Sequence, residues 1–439
     1  MKADAWKGAT LLAVTASLVS VSAWAQERLP AGAGRVDSGD TAWILAASAL
    51  VVAMIVPGLA LFYGGMVRSK NVLGTMMHSF LILCVVSIVW VLWGYSLAFA
   101  PDQGGVIGAL DWALLSGVGA VPHPVYAPTV PHLAFAIFQL MFAAFTPALI
   151  AGAFAERIRF SALLGFTIAW SLFVYAPLAH WMWGGGWLSK LGAVDFAGGT
   201  VVHICAGASA LACALVLGRR RGWRTEYMAP HNLPLVLAGT GLLWFGWFGF
   251  NGGSALAANG LAANALVVTN LAAAAAGLSW MGVDWIRKGK PSAVGFAIGV
   301  ICGLVAITPA SGFVSAIPSI IIGLVAGIIS NIVANIRVTR TKIDDTLDVF
   351  ACHGIAGMWG ALATGLFASA AINNIDGLFY GNPLQLWYQA IAVAAVIAYT
   401  FIGSYVLLKL ISLFKSIRVS KEDEEKGLDI SQHKEEAYG

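Results

Sequence analysis

The sequence predicts an all-α polytopic membrane protein, and three observations lead to this fold class. Apolar residues make up 59% of the 439 residues and charged residues only 10%, with a mean hydropathy of +0.81. A soluble globular chain carries roughly 25% charged residues. Long apolar runs recur along the chain, and basic residues gather in every second loop. Nucleic-acid binding has little support, because the net charge is only +4 and no basic face is apparent.

The N-terminal 25 residues have the layout of a secretory signal peptide. Lys2 and Lys7 precede a short apolar run, and an Ala-Trp-Ala motif follows it. We therefore predict a cleaved signal at residues 1–25 and an extracytoplasmic segment at residues 26–40. An uncleaved first helix is the alternative, although the run is shorter than the ~20 residues that a membrane span needs.

Eleven later apolar runs are long enough to cross the ~30 Å hydrocarbon core of a bilayer. They begin near Thr41, Leu73, Pro131, Phe160, Phe196, Leu233, Leu261, Ala293, Phe313, Val349 and Leu386. We assign residues 41–414 to one transmembrane domain with eleven helices. Residues 415–439 then form a charged cytoplasmic tail with a regulatory role, and their composition suits a partner-binding or partly disordered segment.

The distribution of basic residues predicts the orientation of these helices. Loops after the odd-numbered runs hold fourteen Lys and Arg residues, whereas loops after the even-numbered runs hold only Lys190. The fourteen are Arg68, Lys70, Arg157, Arg159, Arg219, Arg220, Arg221, Arg224, Arg287, Lys288, Lys290, Arg337, Arg340 and Lys342. Because positively charged loops stay in the cytoplasm, we expect the N-terminus outside and the C-terminus inside, in the inner (cytoplasmic) membrane of the cell.

A short internal repeat indicates where a functional site lies. Asp195 and His203 are eight residues apart, and so are Asp345 and His353, in a shared pattern D-x7-H-x2-A-G displaced by 150 residues. Five runs separate the copies, so the repeated helices run in opposite directions, which predicts an inverted 5+5 repeat plus one extra helix. A helical rise of ~1.5 Å per residue would put each histidine ~12 Å deeper than its aspartate, with both imidazoles near the bilayer centre.

The repeated residues admit several chemical roles. Ionisable groups inside a membrane mark solute or proton paths, so we interpret His203 and His353 as pore residues that could relay protons. Metal binding is the competing use, but no third or fourth ligand follows at suitable spacing, and we expect neither a metal nor another cofactor. Asp195 could cap the start of its helix or supply negative potential to a cation site, and the two roles are compatible. We interpret the unrepeated His78 and His180 as structural residues.

Three longer stretches resemble the ammonium transporter family (Amt/Mep/Rh), and closely its bacterial Amt branch. They are residues 195–203, residues 344–354, and the run Trp-Phe-Gly-Phe-Asn-Gly-Gly-Ser at residues 247–254. The resemblance extends from about Thr41 to Tyr438 and implies a transporter of ammonium, ammonia and methylammonium. It also implies a homotrimer in membrane lipid, and a tail that meets a PII-type nitrogen regulatory protein at the cytoplasmic face.

Roles for particular side chains follow from this resemblance. It implies an outer cation site that comprises Phe142, Trp183, Ser254 and Asp195. It implies a gate that comprises Phe138, Phe250 and Trp247, with Phe138 and Phe142 stacked above the pore entrance. Aromatic faces would replace part of the hydration of ammonium, and cation–π contacts are worth ~2 kcal/mol when desolvated. Neutral ammonia would then cross an apolar pore past the paired histidines, with a proton moving alongside.

Other function classes remain to be weighed against transport. An ammonium sensor would bind the ion and signal through a partner, and a neutral-gas channel would pass ammonia or carbon dioxide. An aquaporin-like or urea pore has less support, because no Asn-Pro-Ala pair occurs. We predict that the protein is not an enzyme, since no activated nucleophile, phosphate-binding loop or metal cluster is evident.

Overall fold

The computed structural model describes residues 34–438, and this part of the chain is almost entirely helical. Within it, ten helices are long and apolar enough to cross a membrane. They are α1 (Ser38–Met66), α2 (Ser69–Phe99), α3 (His132–Phe154), α4 (Phe160–Leu191), α5 (Gly199–Leu217), α6 (Leu233–Gly253), α7 (Gly260–Lys288), α9 (Ala316–Arg340), α10 (Phe350–Phe367) and α11 (Pro383–Phe414). The predicted signal peptide and most of the segment at residues 26–40 lie outside the described residues.

The remaining apolar helix, α8 (Ala293–Ile307), is shorter than its neighbours. Its 15 residues rise about 22 Å at ~1.5 Å each, less than the ~30 Å of a hydrocarbon core. A buried stretch of turns continues it to residue 313. Each apolar run found in the sequence therefore forms a helix, but length and hydropathy support ten spans, with α8 as a shorter apolar helix.

Side-chain caps explain where several helices begin. Asp37 accepts a hydrogen bond from the backbone N–H of Asp40 at the start of α1, and Asn232 accepts one from Leu235 at the start of α6. Ser292 does the same at the start of α8. These short polar side chains satisfy N–H groups that have no partner within the helix, so local sequence sets the helix boundaries.

Helices α3 and α5 form the centre of the molecule. In their most apolar stretches 89% and 83% of the residues are buried, compared with 33% in α11 and 39% in α2 and α9. The peripheral helices expose large apolar side chains such as Ile88, Phe245 and Phe414. A surface of this kind is compatible with lipid rather than water, so the centre around α3 and α5 is where a pathway across the bundle would run.

Wider π-helical turns interrupt the regular helices. They lie at Met54–Leu59, Trp90–Gly94, Ser171–Tyr175, Gly199–Ile204 and Phe350–Ile355. The last two begin α5 and α10, and each contains the histidine of one repeat copy. Such turns recur at functional sites because they shift side chains out of the regular helical register.

Short elements fill the connections between helices. Two antiparallel hairpins lie between α2 and α3, with Asp102 opposite Gly108 in one and His123 opposite Ala127 in the other. Their strands are β1 (Asp102–Gln103), β2 (Ile107–Gly108), β3 (Pro122–His123) and β4 (Ala127–Pro131). Single turns of helix occur at Ala113–Leu115, Ala370–Asn373 and Leu378–Tyr380.

The C-terminal tail is folded against the helix bundle. It contains α12 (Lys421–Lys426) and a π-helical turn at Asp429–His433. The carboxylate of Asp429 accepts hydrogen bonds from the N–H groups of Leu73 and Gly74, at 3.0 and 2.8 Å. Of the two alternatives for the tail, the structure therefore favours an ordered segment as far as Tyr438, held by specific contacts with α2.

Candidate functional site

A cavity of about 370 Å³ opens beside the central helices, and four residues predicted from the family resemblance line it. These are Phe142, Trp183, Asp195 and Ser254. They come from α3, the end of α4, the loop before α5 and the end of α6. Residues distant in sequence therefore converge on one small, mainly aromatic chamber.

The indole of Trp183 is fixed from two sides. Its Nε1–H donates a hydrogen bond of 2.9 Å to the backbone carbonyl of Asp195, and its ring meets the ring of Phe142 edge to face at 5.7 Å. Ser254 follows the last residue of α6, and its hydroxyl donates to the carbonyl of Phe250 at 2.9 Å. The hydroxyl oxygen keeps its lone pairs, so this chamber offers a cation both π faces and an acceptor.

The carboxylate of Asp195 organises the start of α5. It accepts hydrogen bonds from the backbone N–H groups of Gly198, Gly199, Thr200 and Val201, and from the hydroxyl of Thr200. The side chain is only 7% exposed. These five hydrogen bonds give Asp195 the capping role at the start of α5.

The predicted depth of His203 below Asp195 assumed that all eight residues between them are helical, and this assumption is wrong. The helix begins at Gly199, so Asp195 lies before it and only the later part of the eight-residue interval is helical. The same holds for Asp345, since α10 begins at Phe350. The histidines therefore lie in the first turns of their helices.

The ring of Phe142, which lines the cavity, packs against the ring of Phe250. The centroids of Phe142 and Phe250 are 4.4 Å apart, with the ring planes inclined by 44°. Phe138 does not form the expected stack, because its ring meets Phe142 edge to face at 79° and is completely buried away from the cavity. The expected Phe138–Phe142 stack is corrected to a Phe142–Phe250 pair, with Phe138 as packing behind it.

Below this pair, the ring of His203 is nearly parallel to two other rings. Its centroid lies 5.2 Å from that of Trp247 and 5.3 Å from that of His353, with interplanar angles of 23° and 25°. The Nδ1 atoms of the two histidines are 3.3 Å apart. Trp247 is held in turn by a 2.9 Å hydrogen bond from its Nε1–H to the hydroxyl of Thr308.

The contact between the histidines constrains their protons. One Nδ1 must carry a proton and the other must accept it, so one ring presents an Nε2 acceptor and the other an Nε2–H donor. The Nε2 atom of His203 is buried and has no protein partner among residues 34–438. A pair of this kind can pass a small hydrogen-bonding solute along, or exchange a proton with it.

The glycines of the repeat allow the two histidine helices to meet. A Cβ atom at Gly207 would overlap the backbone of Gly354, and one at Gly357 would lie 3.2 Å from the Cβ of His203. Each copy of the Ala-Gly motif therefore contacts the opposite helix. This close crossing of α5 and α10 brings the two imidazoles together.

The sequence profile of the Ammonium Transporter Family matches residues 42–438. This chain belongs to the ammonium transporter family. The ammonium transporter of Bacillus subtilis (strain 168) is 51% identical over 402 residues, which are 91% of this chain and 98% of that protein. Ammonium transporter Amt1 of Archaeoglobus fulgidus is 50% identical over 403 residues, covering 92% of this chain and all of the relative. The family resemblance seen in the sequence is confirmed.

Solved structures of ammonium transporters share the fold. Mep2 of Saccharomyces cerevisiae superposes with a TM-score of 0.84 at 36% identity, covering 90% of this chain and 93% of Mep2. A protein described as a sensor Amt protein superposes with a TM-score of 0.83 at 30% identity, covering 90% and 98% of the two chains. The protein is therefore a multi-pass membrane protein and an ammonium transporter, and it is not an enzyme.

Sequence reasoning missed two residues near the site. The ring centroid of Phe145 lies 5.7 Å from that of Phe250 and 6.5 Å from that of His203. Gln139 lines the cavity, and its buried Oε1 has no protein partner in the described part of the chain. Both lie on α3 three residues from Phe142, so helical periodicity could have found them.

His180 is structural, as the sequence predicted. Its ring is buried, with Nδ1 3.0 Å from the carbonyl of Ala98 and Nε2 2.8 Å from the carboxylate of Asp102. Hydrogen bonds from Lys190 and His180 lower the pKa of Asp102 to about 2. This link ties the first hairpin to the end of α4, next to Trp183, and so supports the wall of the cavity.

Proposed function

We propose that this transporter recruits the ammonium ion in the outer cavity, deprotonates it there, and conducts ammonia past the paired histidines while the proton crosses as well. The single observation that carries the proposal is the 3.3 Å contact between His203 and His353 beneath the Phe142–Phe250 pair. An aromatic chamber, an aromatic constriction and a proton-sharing pair follow one another along the centre of the bundle.

The outer cavity suits a small cation with N–H donors. The rings of Phe142 and Trp183 offer π faces, and the hydroxyl oxygen of Ser254 offers an acceptor. Desolvated cation–π contacts are worth about 2 kcal/mol each, enough to offset part of the lost hydration. Hydrated sodium has the charge but no N–H groups to give to Ser254. This cation-recruiting chamber is also what argues against a channel for neutral gases alone.

The constriction below the cavity favours loss of a proton. Phe142, Phe250 and Phe145 surround it with rings, and a bare charge in such surroundings is far more costly than neutral ammonia. The histidine pair can accept the released proton, because one Nε2 atom is an acceptor. Proton and ammonia would then travel separately towards the opposite face.

We further propose the arrangement of the chain in the cell. Eleven crossings, with α8 among them, place the N-terminus outside and the tail in the cytoplasm, in the inner membrane, as the asymmetry of basic loops favours. A homotrimer and control by a PII-type protein follow from family resemblance. The docked tail supports the regulatory part of this proposal, since Asp429 connects it directly to α2.

Purified protein in liposomes tests the mechanism. We expect ammonium to elicit a transient current on a solid-supported membrane, and labelled methylammonium to accumulate in the same vesicles. Uptake without any current would contradict proton co-movement and favour the neutral channel. Empty liposomes provide the baseline.

A sensor is the second candidate, favoured by the structural similarity to the sensor Amt protein. A sensor would bind ammonium through the same cavity and change the exposure of its tail. Binding without flux in the liposome experiment, together with ammonium-dependent protease sensitivity of the tail, would favour it.

A further inference from the structure

Three carboxylates occur within five residues in the loop between α9 and α10, and their surroundings differ. Asp344 pairs with Arg220 at 2.9 Å, and Asp348 pairs with Arg337 at 2.6 Å. Asp345 is completely buried between them, yet among residues 34–438 it forms no ion pair. A buried carboxylate without a basic partner is unfavourable when ionised, so this residue requires an explanation.

The repeat provides the comparison. Asp345 is the counterpart of Asp195, 150 residues earlier in the chain. Both oxygens of Asp195 accept hydrogen bonds, from five donors in all. In Asp345, Oδ2 accepts a hydrogen bond from the N–H of Phe350 at 2.7 Å, whereas Oδ1 is buried without a partner in the described residues.

Asp195 and Asp345 occupy the same position in the sequence repeat, but their different hydrogen bonding indicates different roles. A buried carboxylate that served only as a cap would be expected to have partners for both oxygens, as Asp195 does. Asp345 caps α10 with one oxygen and keeps the other free at the start of the helix that carries His353. A free oxygen in a dry site is a good place to hold a proton.

We propose that Asp345 is the inner proton-holding residue of the transporter, which receives the proton that leaves the His203–His353 pair and releases it to the cytoplasm. The inference rests on the proposed function, since a proton must first reach the histidines. The imidazolium loses one N–H proton and becomes neutral, water carries that proton, and Oδ1 of Asp345 gains it as O–H. The acid then gives the proton to cytoplasmic water and returns to the carboxylate.

The charges around Asp345 fit this role. Burial raises the pKa of Asp345 to about 6, Arg337 opposes the shift, and Asp348 adds to it. The carboxylate is therefore ionised and able to accept a proton at neutral pH, and it is already protonated in more acidic solution. Titratable groups that face it from the packed elements are Tyr63 on α1, Arg157 after α3, Cys213 on α5, Arg337 on α9, and Asp344, Asp348 and Cys352 in its own segment.

The test uses full-length protein in liposomes with the tail inside, and it varies the interior pH. We expect the ammonium-elicited current of the wild type to fall as the interior pH drops through about 6. Asp345→Asn keeps an oxygen for Phe350 but holds no proton, so its current should be at least about tenfold lower and independent of interior pH. An unchanged current and pH profile in this variant would overturn the proposal.

Two further variants keep the test decisive. Asp344→Asn removes a buried carboxylate that is ion-paired, so it should lower the melting temperature but leave the pH midpoint of the current unchanged. Asp345→Glu retains a carboxyl group and should keep a pH-dependent current with a displaced midpoint, even if Asp345→Asn folds poorly. A midpoint that stays in place in Asp345→Glu would contradict the assignment.

An infrared readout is independent of the current. Difference spectra of the wild type should contain a carboxylic acid C=O band that titrates near pH 6 and is missing in Asp345→Asn. Its presence in both proteins would count against Asp345. A wild type that gives no ammonium-elicited current would overturn the proposed function itself, whereas a current that Asp345→Asn leaves unchanged would overturn only the role of Asp345.

Discussion

The Nδ1 atoms of His203 and His353 lie 3.3 Å apart, although 150 residues separate them in the chain. Their ring planes are nearly parallel, inclined by 25°, and the ring of Trp247 is likewise nearly parallel to that of His203. The pair can therefore share one proton in a site that is closed to bulk water, since His203 is fully buried and His353 is 4% exposed.

Replacing either histidine tests whether this contact carries the proton. In His203→Ala or His353→Ala the remaining imidazole has no partner with which to share a proton. We expect the ammonium-elicited current to fall at least about tenfold or the ion selectivity to change. Size-exclusion chromatography should yield as much folded protein as the wild type, and a matching loss of folded protein would remove the argument.

Asp195→Asn should abolish transport. A carboxamide has one acceptor oxygen where the wild type satisfies five donors, so at least two N–H or O–H groups would lose partners at about 1–3 kcal/mol each. Labelled methylammonium uptake and a tryptophan-fluorescence melt measure both effects, and Asp195→Ala should destabilise α5 further. Asp37→Asn is the control, because it caps α1 through one exposed bond and Asn caps equally well. Wild-type uptake by Asp195→Asn would contradict the assigned role.

Trp183→Leu should weaken ammonium recruitment. Loss of a desolvated cation–π contact of about 2 kcal/mol corresponds to a roughly 30-fold rise in the ammonium concentration for half-maximal current. Trp93→Leu serves as the matched control, since this indole on α2 is 46% exposed on the outer surface of the bundle. Equal half-maximal concentrations in the two variants would exclude Trp183 from the binding site.

Gly207→Ala should block transport while both histidines remain. The new methyl group would overlap the backbone of Gly354 and push α5 away from α10, which separates the imidazoles. Gly241→Ala is the matched control, because a Cβ there meets nothing within 4 Å. The measurement is the ammonium-elicited current per folded protein, and an active Gly207→Ala variant would show that the close crossing is not required.

Arg220→Met should lower stability in a pH-dependent way. Arg220 pairs with Glu156 at 3.0 Å and with Asp344 at 2.9 Å. Burial alone would raise the pKa of each carboxyl, but Arg220, together with Arg68 at Glu156 and Arg157 at Asp344, more than compensates, so both pKa values are lowered. This stabilisation is therefore present above the unfolded-state pKa values, near 4, and is lost as the pH falls through the folded-state values.

The melting temperature of Arg220→Met measures this effect. Breaking a buried pair costs about 3–5 kcal/mol, so the variant should melt well below the wild type at neutral pH. The difference should start to shrink below pH ~4, where the unfolded chain takes up protons, and should vanish once the pH is below the lowered pKa values of the folded wild type. A difference that stays constant with pH would attribute the loss to packing instead.

Much of the fold could be predicted from sequence, because the formation of a membrane helix depends on the local apolar run. An apolar run must form a helix in lipid to satisfy its own backbone, so eleven runs predicted the positions of eleven helices. The length of α8 was not accessible, because the run at Ala293 continues as buried turns whose course depends on neighbouring segments. Cap residues such as Asn232 fixed helix starts through contacts only three residues away.

The candidate site was also predictable from sequence only in part. The repeat indicated His203 and His353, and family resemblance indicated Trp183 and Ser254, all of which the structure brings to the centre or to the cavity. The sequence could not indicate that Phe250 rather than Phe138 faces Phe142, since this ring packing depends on how α3 and α6 meet.

The amino-acid sequence by itself determined the positions of the apolar helices, the repeat and the family. Only the tertiary structure decided that Asp195 has five hydrogen-bond donors, whereas Oδ1 of its counterpart Asp345 has no partner among residues 34–438, and that the tail docks through Asp429. The physical reason is that a polar group's environment depends on partners supplied by other segments, and no local pattern records which partners arrive.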